Sequence, residues 1–213
     1  MFPIQHSREL VVRARRGERL FTAEERDEII RVLGGAMPAT VSGQIALALA
    51  YVEDGQKERA TDIAREIWTT EFLSKADEDR VHKKLGELLT ADDHWARAVF
   101  LMMNDRATAV QRLYSFMTPE QKSLAVARNA VSRNAKDAKK LLDDVDPSMQ
   151  AHPVYIFSRA QRARQFDLLE DAADWMAKAP ADLPESAEWW YERRTLIRQL
   201  LDAGKKVGVT GTS

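Results

Sequence analysis

The 213 residues include no cysteine. That excludes a disulfide framework, a thiolate nucleophile, an iron–sulfur cluster and a thiolate zinc site, and it leaves the compartment open, because a chain this long can bury a core without crosslinks. No sign of charge dominates: 32 Lys and Arg stand against 33 Asp and Glu, a net charge of -1. A general nucleic-acid binder needs a cationic surface to neutralise phosphates, so none is expected here. No run approaches the roughly 20 apolar residues of a membrane-spanning helix. The opening Met1-Phe2-Pro3-Ile4-Gln5-His6-Ser7-Arg8-Glu9 lacks the basic flank and apolar stretch of a secretory signal. His6, His82, His94 and His152 show no His-x-x-x-His spacing. No metal or other cofactor is expected.

Glycine and proline are scarce, nine and seven, and they fall between apolar periodic segments. Those segments have helical spacing: Ile45, Leu49 and Val52; Val110, Leu113, Tyr114 and Met117; Leu169, Ala172, Ala173 and Met176. No sustained alternating run argues for strands. Thr22 with Glu25 gives a capping box, Thr90 with Asp93 and Thr118 with Gln121 looser versions, and Pro38, Pro119, Pro147, Pro153 and Pro184 suit turns or first helical turns. Gly34-Gly35 and Gly55 read as helix ends. The pattern predicts helices over 5–16, 22–34, 38–53, 56–71, 75–87, 91–103, 105–117, 119–132, 135–144, 153–165, 167–178 and 187–203. The same reading expects an N-terminal helix and lead-in over residues 1–21, the helical domain over 22–204, and a flexible tail in the Gly/Thr-rich 205–213.

Successive helices joined by short turns lie antiparallel. An Ala-rich helix, a turn and a second Ala-containing helix recur around Gly55, Asp105, Asn134, Gln165 and Gly204, at spacings of 50, 29, 31 and 39 residues. The expectation is an all-α, irregular α-solenoid or superhelix of stacked helix pairs, tetratricopeptide-like, with a compact bundle as the competing fold.

Three clusters could carry chemistry. Thr90-Ala91-Asp92-Asp93-His94-Trp95-Ala96-Arg97 holds an Asp–His–Arg grouping. It reads as a helix start, with Thr90 capping, the aspartates at the positive end of the dipole, and His94 or Trp95 packing. Trp189, Trp190, Arg193 and Arg194 could form a stacking platform for sugar rings with guanidinium clamps. The competing reading is a core stripe through Trp190, Arg194 and Ile197, with one tryptophan left facing outward. Arg159, Arg162 and Arg164 could form a basic stripe or make ion pairs with Asp167, Glu170 or Asp171. The arginines at 8, 13, 15, 16 and 19 read as a solvated face.

Four segments occur in one order: Met37-Pro38-Ala39-Thr40-Val41-Ser42-Gly43, Leu89 to Arg97, Leu124-Ala125-Val126-Ala127-Arg128, and Trp189-Trp190-Tyr191-Glu192-Arg193-Arg194. Together with Tyr155-Ile156-Phe157-Ser158-Arg159-Ala160 and Ala177-Lys178-Ala179-Pro180, they make residues 22–204 resemble the superhelical, U-shaped region of bacterial soluble lytic murein transglycosylases. The resemblance implies an array of helix pairs that accompanies a separate murein-cleaving domain. In that domain a Glu in a Glu-Ser motif, ahead of a Gly-Leu-Met-Gln segment, is acid and then base. Glu185-Ser186 has no such segment after it and is not expected to be catalytic. No activity is therefore expected of this chain alone, and no catalytic residue is assigned.

The implied partners are murein glycan strands or a missing or separate catalytic domain. The implied compartment is the periplasm, or the cytoplasm if the chain is native as given. Candidate contact residues are Trp189, Trp190, Arg193 and Arg194. The alternative is a tetratricopeptide-like adaptor that binds peptide segments of a partner protein. A third is a fragment with no role of its own.

Overall fold

The computed structural model describes residues 22–181 and 183–204. The helix expected over 5–16 and the tail 205–213 lie outside them. Among the described residues the protein is all-α, with eleven α-helices and no strand. In order they are α1 (Ala23–Leu33), α2 (Val41–Glu53), α3 (Lys57–Thr70), α4 (Lys75–Leu85), α5 (Ala91–Met103), α6 (Ala107–Arg112), α7 (Pro119–Ser132), α8 (Ala138–Asp143), α9 (Pro153–Gln165), α10 (Leu169–Ala177) and α11 (Ser186–Asp202). Short 3-10 turns lie at Gly86–Leu88, Tyr114–Phe116 and Pro147–Met149.

Local chemistry explains most of the boundaries. Thr22 and Glu25 bond each other's backbone N–H, as do Thr118 and Gln121. Thr90 and Asp93 do the same at the start of α5. Each exchange satisfies donors that the first turn otherwise leaves orphaned. Pro119 and Pro153 stand at first helical positions, where a missing N–H costs nothing. The helix expected over 105–117 is divided. It ends at Arg112, and a 3-10 turn follows, because Met117 and Thr118 must turn extended for Thr118 to cap α7. Val110 and Leu113 are buried as expected, while Tyr114 and Met117 are only half-buried.

The chain divides into two compact units, Met1–Arg97 and Ala98–Ser213, the division falling inside α5. In the first unit α2 packs on α1, α3 and α4. Gly43 through Tyr51 are buried without a break, as suits a helix covered on all sides. Gly34 ends α1 in an ordinary right-handed conformation. It must be glycine for want of space, since a Cβ there would lie 2.4 Å from the Ile30 carbonyl oxygen and 2.8 Å from the Tyr51 hydroxyl. In the second unit α9 is the central helix, packed on α7, α8, α10 and α11.

One turn geometry recurs. Gly55, Asp105, Asn134 and Asp167 all have positive φ, 77°, 54°, 49° and 57°. The residue after each donates its N–H five residues back: Gln56 to Tyr51, Arg106 to Leu101, Ala135 to Ala130 and Leu168 to Ala163, all at 2.9–3.0 Å. This is the Schellman helix stop, which uses one left-handed residue to reverse the chain. The repeated turn expected at Gln165 is therefore centred at Asp167, and α10 starts at Leu169. Seven residues before each left-handed residue stands an alanine, Ala48, Ala98, Ala127 and Ala160, each fully or almost fully buried. The repeat that composition only hinted at is thus a fixed register of helix, alanine and turn. Gly204, after α11, also has positive φ, 69°, but Ile197 takes the alanine's place and is 42 % exposed.

Candidate functional site

Alpha-helix 11 has two apolar faces. Trp189, Glu192, Leu196 and Leu200 are buried, with Trp189 meeting Phe157 of α9 edge-to-face at 5.1 Å between ring centroids. Trp190 (62 %), Tyr191 (56 %), Ile197 and Leu201 (62 %) are exposed. The core stripe expected through Trp190, Arg194 and Ile197 is displaced by one residue, to Trp189. One of the paired tryptophans does face outward. The four candidate residues therefore split: Trp189 is core with the Arg193 guanidinium 6.0 Å from its ring centre, whereas Trp190 is surface, and Arg194 lies over the Tyr191 ring at 5.8 Å. Glu185, in the Glu-Ser pair, is a half-buried left-handed residue ahead of α11 whose side chain makes no capping bond.

The Asp–His–Arg cluster of the first unit is built into the packing. Arg97 is fully buried, donates to the Trp68 carbonyl at 2.7 Å, sits 4.4 Å over the Trp68 ring and pairs with buried Glu78 at 3.5 Å. Burial pushes the Asp93 carboxyl up, but hydrogen bonds from Thr90 and the Arg65 pair outweigh it and hold the group below its ordinary value. Burial, with the charge of nearby His82, pushes His94 down, so its neutral form is favoured.

The three arginines of α9 point to three different partners. Arg159 donates to the Tyr155 hydroxyl (2.8 Å), to Asp143 (2.7 Å) and to the Leu142 carbonyl (3.1 Å). Arg164 grips buried Glu192 with two nitrogens. Arg162 stacks 3.3 Å from the centre of the Phe166 ring and donates to the neutral Asn134 side chain at 3.1 Å. The ion pairs are thus with Asp143 and Glu192, from other helices, rather than with Asp167, Glu170 or Asp171.

Arg159 and Arg162 help to wall a groove of about 400 Å3 in the second unit, formed by α8, the end of α9, the Asp167 turn and α10. Lys136, Lys139, Asp171 and Trp175 line it together with Phe166 and Leu168. Phe166 and Leu168 are 52 % and 54 % exposed. Sequence reasoning missed this groove, because three separate helices and a turn make it. The one local signal was that turn: Asp54/Gln56, Asn104/Arg106 and Arg133/Ala135 flank the left-handed residues of the other three such helix stops, and only Asp167 is flanked by two large apolar side chains.

No group of three or more His, Asp or Glu side chains suited to a metal ion occurs among the described residues, and no helix there is long and apolar enough to cross a membrane. The chain matches no protein-family model, no curated protein and no solved structure.

Proposed function

We propose that this chain is a non-catalytic superhelical scaffold that engages murein, belonging with a periplasmic peptidoglycan-cleaving activity of the lytic transglycosylase type. The observation that carries the reading is the exposed row Trp190, Tyr191 and Arg194 on α11. Pyranose rings stack on flat aromatic faces, and a guanidinium placed beside them answers the carboxylates of murein peptide stems. The ordered resemblance of four segments supports the same reading. Co-sedimentation with purified murein sacculi tests it. The protein should pellet with the sacculi, and Trp190→Ala with Arg194→Ala should move most of it to the supernatant without loss of helicity. A wild-type protein that stays in the supernatant would sink the reading.

A second reading, the tetratricopeptide-like adaptor that binds peptide segments, is favoured by one observation, the groove beside Phe166 and Leu168. An adaptor would leave sacculi alone.

A further inference from the structure

The groove of the second unit has a surplus of positive charge. Lys136, Lys139, Arg159 and Arg162 face two carboxylates, Asp171 on the wall and Asp143, which Lys139 and Arg159 share. Two cations therefore remain uncompensated. Among the described residues neither Lys136 nor Arg162 pairs with a carboxylate, and the bond from Arg162 to Asn134 adds no negative charge. Burial disfavours the Arg162 charge, so a carboxylate brought alongside would restore what desolvation takes away.

The apolar half of the groove is partly exposed: Phe166 and Leu168 are open to solvent, although Arg162 covers one face of the Phe166 ring. Phe166 and Leu168, both lining the groove, flank the left-handed Asp167, whose turn fixes their backbone. Trp175 forms the far wall, with Lys178 4.0 Å above its ring and Tyr155 edge-on at 5.8 Å. Fixed aromatic and aliphatic surfaces next to unneutralised cations demand a ligand with both kinds of group. A volume near 400 Å3 lies within the range of sites that bury small ligands, about 300–1,000 Å3. It accommodates a few residues of an extended chain.

We infer that this groove binds a short acidic peptide segment of a partner protein, its carboxylates on Arg162 and Lys136 and its apolar side chain against Phe166, Leu168 and Trp175. This rests on the adaptor reading and is independent of the Trp190 surface.

Fluorescence anisotropy with a labelled octapeptide alternating Glu with Leu and Phe tests the site. The peptide should bind, more weakly as salt rises. Replacing every Glu by Gln, or every Leu and Phe by Ala, should weaken it about tenfold. Lys136→Glu, at an exposed position with no hydrogen bond or ion pair to lose, should weaken it by a similar factor at unchanged melting temperature, and so should Arg162→Gln. Binding undiminished in both variants would overturn the groove while leaving an adaptor that binds elsewhere. Absence of binding by any acidic peptide would overturn both. Muropeptides released from sacculi, if they bound where the octapeptide did not, would overturn the protein-segment occupant and return the groove to murein.

Discussion

Arg164 of α9 holds Glu192 of α11 with two guanidinium nitrogens, and the carboxylate, not the arginine, is the sealed partner: the Glu192 side chain is 2 % exposed and that of Arg164 15 %. The two truncations should therefore differ. Arg164→Ala strands a buried carboxylate and should cost about 3–4 kcal/mol, whereas after Glu192→Ala the arginine can turn toward water and about 1–2 kcal/mol should be lost. Urea unfolding of the two variants checks the order, and equal losses would contradict it.

In the first unit the corresponding pair is Arg97 with Glu78, both buried. Arg97→Met should destabilise by about 3–5 kcal/mol, because it removes a buried ion-pair partner of Glu78 and a donor to the Trp68 carbonyl. Adding Glu78→Gln should return part of that loss, which a double-mutant cycle measures directly.

Left-handed residues other than glycine carry strain of about 1–2 kcal/mol. Asp167→Gly should relieve it and raise stability by up to about 1 kcal/mol, since no hydrogen bond or ion pair of the Asp167 side chain opposes the gain. Asp105→Gly should not, because Asp105 accepts from buried Arg128 at 2.7 Å. Thermal melts of the two variants should move in opposite directions.

Stability should fall as pH drops below neutrality. Burial lowers His152, and burial with the His82 charge lowers His94, so each binds fewer protons folded than unfolded. The sign follows: their contribution is complete above the unfolded histidine value near 6.5 and is lost as pH falls from there toward the depressed folded values. His152 also caps α9 through Nδ1, which accepts from the Val154 N–H at 3.2 Å and cannot do so once protonated. His152→Asn keeps an acceptor and removes the titration. Between pH 7 and 5 its melting temperature should decline less than that of the wild type.

Local signals made the helices legible. Thr22, Thr90 and Thr118 each start a helix where the capping pattern places them, and α5, α7 and α9 keep their expected limits to the residue. The turn expected at Gln165 lies two residues further on, at Asp167, an aspartate that gives no outward sign of a left-handed conformation, as Gly55 does. On α11 the choice between Trp189 and Trp190 for the core turned on a neighbour, Phe157, that lies 32 residues away and is unseen in a helical pattern. Alpha-helix 9 shows the same limit: three arginines at helical spacing carry no indication that Asp143 and Glu192 would claim two of them and leave Arg162 beside an open groove.

The buried alanine seven residues before each turn also bears on how freely this sequence can vary. A single-nucleotide change in an alanine codon yields glycine, serine, threonine, valine, proline or an acidic residue. In the interior of a helix proline breaks the helix, a buried carboxylate would stand without a partner, and valine or threonine overfills a space shaped for one methyl group. Glycine fits but costs roughly 0.5–1 kcal/mol in backbone entropy. Serine is the least disruptive step left at Ala48, Ala98, Ala127 and Ala160. The mutational tolerance of the protein is therefore narrowest at four of its smallest side chains.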